Sequence, residues 1–234
     1  VDDKEATQTP WFAWVAFNAP HTPFHEPPVE LAPEGGYSAQ GAGESSNAHL
    51  YRKALEALDT EMGRLLESIN PARTQIILLG DNGTPGQVVQ APFGNGNSKG
   101  DLYNGGIHVP MIAKGPFVKL PPGTTTDALV HCIDIFSTIL ELAGIDESTV
   151  PGLAERNVGS TSMLPILDGT DTADRYVIAE RFGNSPGRAI LVDDYPGYKL
   201  IINGDPNSNL DVPSFEFFNI GAPANDFNEQ SPLT

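Results

Sequence analysis

Two short apolar runs, residues 11–17 (WFAWVAF) and 75–80 (QIILLG), flank a long amphipathic segment, and that order constrains the fold more than anything else in the chain. Leu50, Ala54, Leu58, Met62, Leu65 and Ile69 recur at spacings of three and four, which predicts a helix of about six turns. Asn70-Pro71 stops it. Residues 11–17 are nearly all apolar, as a strand buried on both faces requires. Strand, loop, helix and strand in that order make a βαβ unit, whose two strands are expected to pair in parallel through a right-handed crossover.

Further along, VPMIAKGP reads as a short strand, and residues 134–143 as a second amphipathic helix closed by Gly144. Past Gly144 the texture changes. RYVIAER, RAILVDD, YKLIING and FEFFNI are short runs about ten residues apart, broken by turn residues, as in a small antiparallel sheet. The expected fold is therefore α/β. Residues 1–145 form part of a doubly wound, mostly parallel sheet with flanking helices, and residues 146–234 a small antiparallel α+β subdomain. The boundary falls between residues 144 and 175.

The second apolar run ends on Asp81-Asn82-Gly83. One reading is that Asn-Gly makes a turn, since both residues tolerate positive φ. The other is that Asp81 and Asn82 stand at the carboxyl edge of a sheet, where α/β proteins build sites. Their oxygens are hard ligands suited to Ca²⁺ or Mg²⁺. His21, between Pro20 and Pro23, has a restrained backbone, as a pre-organised donor needs. Lys99 lies in a Gly-rich loop that lets an anion approach the backbone. By themselves these residues describe an anion and metal pocket at a sheet edge, and no more.

Charge sharpens the reading. Thirteen basic against 30 acidic residues give a net charge of −17, so a nucleic-acid or anionic-membrane surface is not expected. If an anion binds, Lys99 or a metal must supply the positive charge locally. The acidic balance fits a secreted or periplasmic protein. No apolar run approaches the roughly 20 residues of a membrane helix. Cys132 is the only cysteine, which excludes an internal disulfide. Its apolar helical surroundings predict a buried, inert thiol.

Taken in order, these segments resemble the later part of a sulfatase of the alkaline phosphatase superfamily. FNAPHTPF is similar to that family's strand ending in a Pro-His-x-Pro loop, and TQIILLGDNG to its metal-bearing strand end. SKGDLYNGGIHVPMIAKGP resembles its Lys-Gly-x-x-Tyr-x-Gly-Gly-x-x-Val-Pro stretch, and the likeness runs from about residue 10 to residue 225. The resemblance implies that Asp81 and Asn82 are ligands of a divalent cation, most often calcium. It implies that His21 donates to the sulfate group or its ester oxygen, and that Lys99 binds a sulfate oxygen. The substrate would be a small sulfate ester or a sulfated glycan.

Family members also carry an earlier segment with paired aspartates, a Lys/His pair, and a Cys/Ser-x-Pro-x-Arg motif converted to the formylglycine nucleophile. No segment with that combination is found in residues 1–234, and no Cys/Ser-x-Pro-x-Arg motif occurs there. Cys132, Ser160 and Ser162 lack the Pro-x-Arg context. The expectation is thus the C-terminal portion of a sulfatase, inactive alone, with self-association through the surface its missing half would cover. Two alternatives stay open: a phosphate mono- or diester hydrolase of the same superfamily, or a non-catalytic sulfatase-like fragment. His25, His49, His108 and His131 are expected to be partly buried structural residues. If further cation ligands exist, Asp101 is the first place to look.

Overall fold

The computed structural model describes residues 7, 9–33, 41, 43–94, 96–153, 159–171, 174–183, 185–204 and 213–220, and structural statements below concern those residues. The chain divides into two compact units, Val1–Gln75 and Ile76–Thr234.

The first unit is organised by helix α1, Ser46–Glu67. Ser45 caps its start by accepting from the Ala48 N–H at 3.2 Å, satisfying one donor that the first turn leaves over. The loop before it packs back onto the helix. Phe24 meets Tyr51 edge to face at 5.8 Å, the Thr60 hydroxyl donates to the Leu31 carbonyl at 2.9 Å, and Lys53 pairs with Glu26. Residues 11–17 form no strand, and Phe12, Trp14, Val15 and Phe17 are exposed. The predicted parallel strand is therefore not formed. Strand preference measures how well side chains fit a covered, paired surface, and among the described residues no strand lies alongside this run.

The second unit contains two sheets. β1 (Ile76–Leu79) pairs with β2 (Met111–Lys114), Ile76 opposite Lys114 and Leu79 opposite Met111. This pair is antiparallel, where a parallel pair with residues 11–17 was expected. A four-residue turn of helix, α2 (Asn104–Ile107), precedes β2. Helix α3 (Asp134–Leu142) ends as its glycine predicts. Gly144 takes φ 70°, its N–H meets the Glu141 carbonyl and the Ile145 N–H meets the Leu140 carbonyl, the Schellman arrangement. A short helix, α4 (Leu164–Asp168), leads into β3 (Tyr176–Arg181), β4 (Gly187–Val192), β5 (Tyr198–Asn203) and β6 (Ser214–Asn219). These four strands make an antiparallel meander in chain order, as the spacing of the apolar runs predicts.

One face of the meander buries Ala189, Ile201 and Phe218 against Leu102, with Tyr103 and Ile107 packed around them. Full burial of a ring such as Phe218 is worth roughly 2 kcal/mol. The sheet is thus fastened to the segment that carries Lys99. Helices and strands mix as an α/β chain should, and both sheets among the described residues are antiparallel.

Candidate active-site segment

The ladder between β1 and β2 continues one step past the strand, with the Gly80 N–H on the Pro110 carbonyl at 3.0 Å. Asp81 and Asn82 then leave the sheet, and Gly83 returns to protein backbone. Its N–H donates to the Gly106 carbonyl at 2.9 Å. Gly83 does not adopt a positive φ, so turn geometry is not what calls for glycine here. Space is: a Cβ at position 83 would lie 1.9 Å from the Gly105 oxygen.

The same close approach recurs twice. A Cβ on Gly105 would lie 2.1 Å from the Asn97 oxygen, and one on Gly106 would lie 2.2 Å from the Asp101 oxygen. The Gly105 N–H donates to Asn97 Oδ1 at 2.6 Å, and the Lys99 N–H to the Thr84 carbonyl at 2.9 Å. Three backbone segments, 81–84, 97–101 and 103–107, are stacked on glycine contacts. The backbone of the loop after the Asp81-Asn82 strand end meets the backbone of the loop with Lys99. The glycines act differently from expectation: Gly105 and Gly106 admit protein backbone, where an anion was anticipated.

Asp81 and Lys99 are exposed and Asn82 is half-buried. Among the described residues none of their side chains has a hydrogen bond or ion pair, whereas the neighbouring polar groups do. Asp101 is committed, accepting from the Ser98 N–H at 3.4 Å and facing Arg181 at 3.5 Å. Both of its oxygens are thus engaged within the chain. The donor set fits Ca²⁺ or Mg²⁺ in kind, with a carboxylate and a carboxamide oxygen side by side. It falls short in number, since Ca²⁺ takes about six to eight oxygens and the described residues hold no group of three or more His, Cys, Asp or Glu.

The meander reaches this segment through a buried lysine. Lys199 on β5 is fully buried, and its ammonium donates to Asn104 Oδ1 at 3.2 Å. Sequence reasoning missed it. The available signal was phase: in YKLII, Lys199 shares the inward register with Ile201, so a charge occupies a core position. His108 follows α2 and is partly buried as expected, with the rest of its surface exposed. Partial burial first, and the Lys199 charge second, lower its pKa from the ordinary 6.5.

His21 lies in the first unit. Its N–H closes a turn on the Asn18 carbonyl at 2.9 Å. Its Nδ1–H donates to the Thr22 carbonyl at 2.8 Å, since a carbonyl can only accept. That bond fixes the ring and leaves Nε2 as the outward atom. Other residues differ from expectation. Cys132 is exposed, because α3 begins after it and the helical burial pattern does not extend back to it. His25 is exposed too, with Nδ1 on the Pro23 carbonyl. His131 has the structural role foreseen, Nε2 donating to the Ile178 carbonyl at 3.1 Å and Nδ1 accepting from the Ile133 N–H. His49 is half-buried as expected. Ser160 is used in the fold, bridging the Ile133 carbonyl and the Ser137 N–H.

Comparison with known proteins places this segment. The family model described as Sulfatase matches residues 2–145. A sulfatase of Formosa agariphila is 30% identical over 158 residues, covering 62% of this chain and 28% of that protein. The uncharacterized sulfatase YdeN of Escherichia coli is 32% identical over 177 residues, 71% of this chain and 29% of its own. The N-acetylgalactosamine-6-sulfatase of Canis lupus familiaris is 26% identical over 191 residues, 77% of this chain and 33% of its own. The chain thus spans about a third or less of the length of these relatives. With more than half of its residues matching the family model, the chain belongs to the sulfatase family.

Proposed function

We propose that this chain supplies the sulfate-gripping groups and part of the cation site of a sulfuric ester hydrolase. Lys99 binds a sulfate oxygen and offsets the charge that grows as the S–O bond breaks and the alcohol leaves. His21 faces the sulfate group or the ester oxygen with Nε2, which donates when both ring nitrogens carry a proton, since Nδ1–H is already given to the Thr22 carbonyl. Asp81 and Asn82 hold a divalent cation, calcium first, which when bound supplies Lewis-acid polarisation of the ester. The substrate class is a small sulfate ester or a sulfated glycan.

The observation that carries this reading is the glycine-stacked meeting of the Asp81-Asn82 strand end with the Lys99 loop. All three side chains there lack partners among the described residues. A fold that orders a loop in this way holds charge where it will be needed, and pre-organised charge is what stabilises a charge-developing transition state. The Nδ1 bond of His21 supports its part, because a ring fixed at one nitrogen presents the other in a set direction. Residues 1–234 contain no Cys/Ser-x-Pro-x-Arg nucleophile, so on this reading the chain alone does not turn over sulfate esters.

The test is amide NMR of the chain titrated with inorganic sulfate and with an aryl sulfate. Shifts are expected at Gly83, Lys99 and Gly100, and their loss in Lys99→Ala. Hydrolysis by the chain alone should not exceed that of the same variant. Shifts that survive Lys99→Ala unchanged, or turnover clearly above it, defeat the reading.

A further inference from the structure

Lys99 sits in a turn closed by its neighbours. The Asp101 N–H donates to the Ser98 carbonyl at 3.0 Å, and Asp101 Oδ2 accepts from the Ser98 N–H. What holds Asp101 comes from far along the chain. Its Oδ1 faces Arg181 Nη1 at 3.5 Å, at the end of β3. Arg181 Nη2 donates to Asn203 Oδ1 at 3.3 Å, at the end of β5. Asn203 Nδ2 donates to Glu216 Oε1 at 2.5 Å, on β6. Glu216 then accepts the Tyr103 hydroxyl at 2.9 and 3.1 Å. Tyr103 is two residues from Asp101, so the chain of contacts closes on itself.

We propose that Asp101, Arg181, Asn203, Glu216 and Tyr103 form a closed circuit through which the C-terminal meander positions the Lys99 loop. The polarity is consistent around the ring. Glu216 accepts from both of its neighbours, the guanidinium donates to Asn203 and pairs with Asp101 by charge, and Asn203 accepts with its oxygen while donating with its nitrogen. Reversing that amide would break two bonds at once, so the arrangement selects one geometry. Contacts with a charged partner are stronger than neutral ones, and these are partly shielded from water. The Lys99 N–H is meanwhile tied to Thr84 on the Asp81 loop. Lys99 is therefore held from the strand end on one side and from three strands of the meander on the other. This explains why a sheet that contributes no proposed ligand is fastened so heavily to α2. These five are positioning residues, and the inference rests on the reading of Lys99 as the sulfate-binding cation.

Tyr103→Phe tests it, because the ring and its edge-to-face contact with Phe218 at 6.1 Å remain while the hydroxyl is removed. Glu216→Gln is the second variant, keeping shape and removing charge. Hydrogen exchange of the chain is read at individual amides. In both variants Lys99 and Asp101 should exchange about tenfold faster, the loss of one charge-assisted bond, with the β4–β5 ladder unchanged. Sulfate-induced shifts at Lys99 should need about tenfold more sulfate. Lys99 and Asp101 amides that exchange as in the wild type overturn the inference. So does a uniform rise that includes the ladder, which would make the circuit a general support of the fold. If Lys99→Ala leaves sulfate shifts intact while Tyr103→Phe still frees the loop, the ligand reading fails and the positioning stands. If Lys99→Ala removes the shifts and Tyr103→Phe changes nothing, the positioning alone fails.

Discussion

Alanine at position 83 separates two reasons for a glycine. Its methyl carbon would lie 1.9 Å from the Gly105 oxygen, 2.7 Å from Gly106 Cα and 2.8 Å from the Gly105 carbonyl carbon. Favourable carbon contacts begin at about 3.5 Å, and all three neighbours are backbone, so no flexible side chain can swing aside. The 81–84 loop must therefore retreat from α2. Overpacking of this kind costs about 1–3 kcal/mol, and the Gly83 to Gly106 hydrogen bond adds about 1 kcal/mol if it breaks. Against this, alanine trims the unfolded ensemble by roughly 0.5 kcal/mol. The net loss is about 2–3 kcal/mol, a large share of a typical folding free energy.

Gly100→Ala supplies the comparison. Gly100 has φ 94° with no atom within 4 Å of the added carbon, so only backbone strain of about 1 kcal/mol is expected. Urea denaturation at constant pH measures both. With a slope of about 2 kcal/mol per molar, Gly83→Ala should lower the midpoint by roughly 1–1.5 M and Gly100→Ala by about half a molar. If Gly83→Ala costs no more than Gly100→Ala, the close backbone stack is not what that glycine is for.

Two further outcomes are expected. The fold lowers the pKa of His108 below its unfolded value, so the native state disfavours the imidazolium. The stability linked to this group is complete above about pH 6.5 and is lost as pH falls through the depressed value. His108→Gln should flatten that part of the decline in urea midpoint between about pH 7.5 and pH 5, and an unaltered slope would contradict it. The exposed run of Phe12, Trp14, Val15 and Phe17 is the apolar surface on which self-association is proposed. Sedimentation should show concentration-dependent association that Trp14→Glu reduces, and identical profiles for the two proteins would remove that surface from consideration.

What could be read from sequence follows the range of the interactions. Helix α1, helix α3 with its glycine stop and the four-stranded meander rest on local periodicity and capping, and each appears where periodicity put it. Pairing is not local. Nothing within IILL distinguishes a parallel neighbour at residues 11–17 from the antiparallel neighbour Met111–Lys114, and the βαβ rule supplied the former. At the site, Asp81, Asn82 and Lys99 were legible through side-chain chemistry and family resemblance. Gly83, Gly105 and Gly106 were visible as glycines, but their use was not, because a close backbone approach leaves no trace in composition. Lys199 and Glu216 act across roughly a hundred residues, to Asn104 and Tyr103, and only the inward phase of Lys199 on its strand hinted at them.

The acidic balance gives the arrangement around Lys99 a further reason. In a chain with 13 basic and 30 acidic residues, carboxylates compete for every cation, though not every cation takes one. Arg52, Lys53, Arg64, Arg175, Arg181 and Arg188 are each paired in that way. Asp101 is the carboxylate closest in sequence to Lys99, and it would be the natural partner. The circuit engages it with Arg181 on one oxygen and the Ser98 N–H on the other. The guanidinium that completes the ring thus also occupies the acid that would otherwise compete for Lys99. Holding the loop and leaving its ammonium without an ion pair among the described residues are, in this fold, consequences of the same set of bonds.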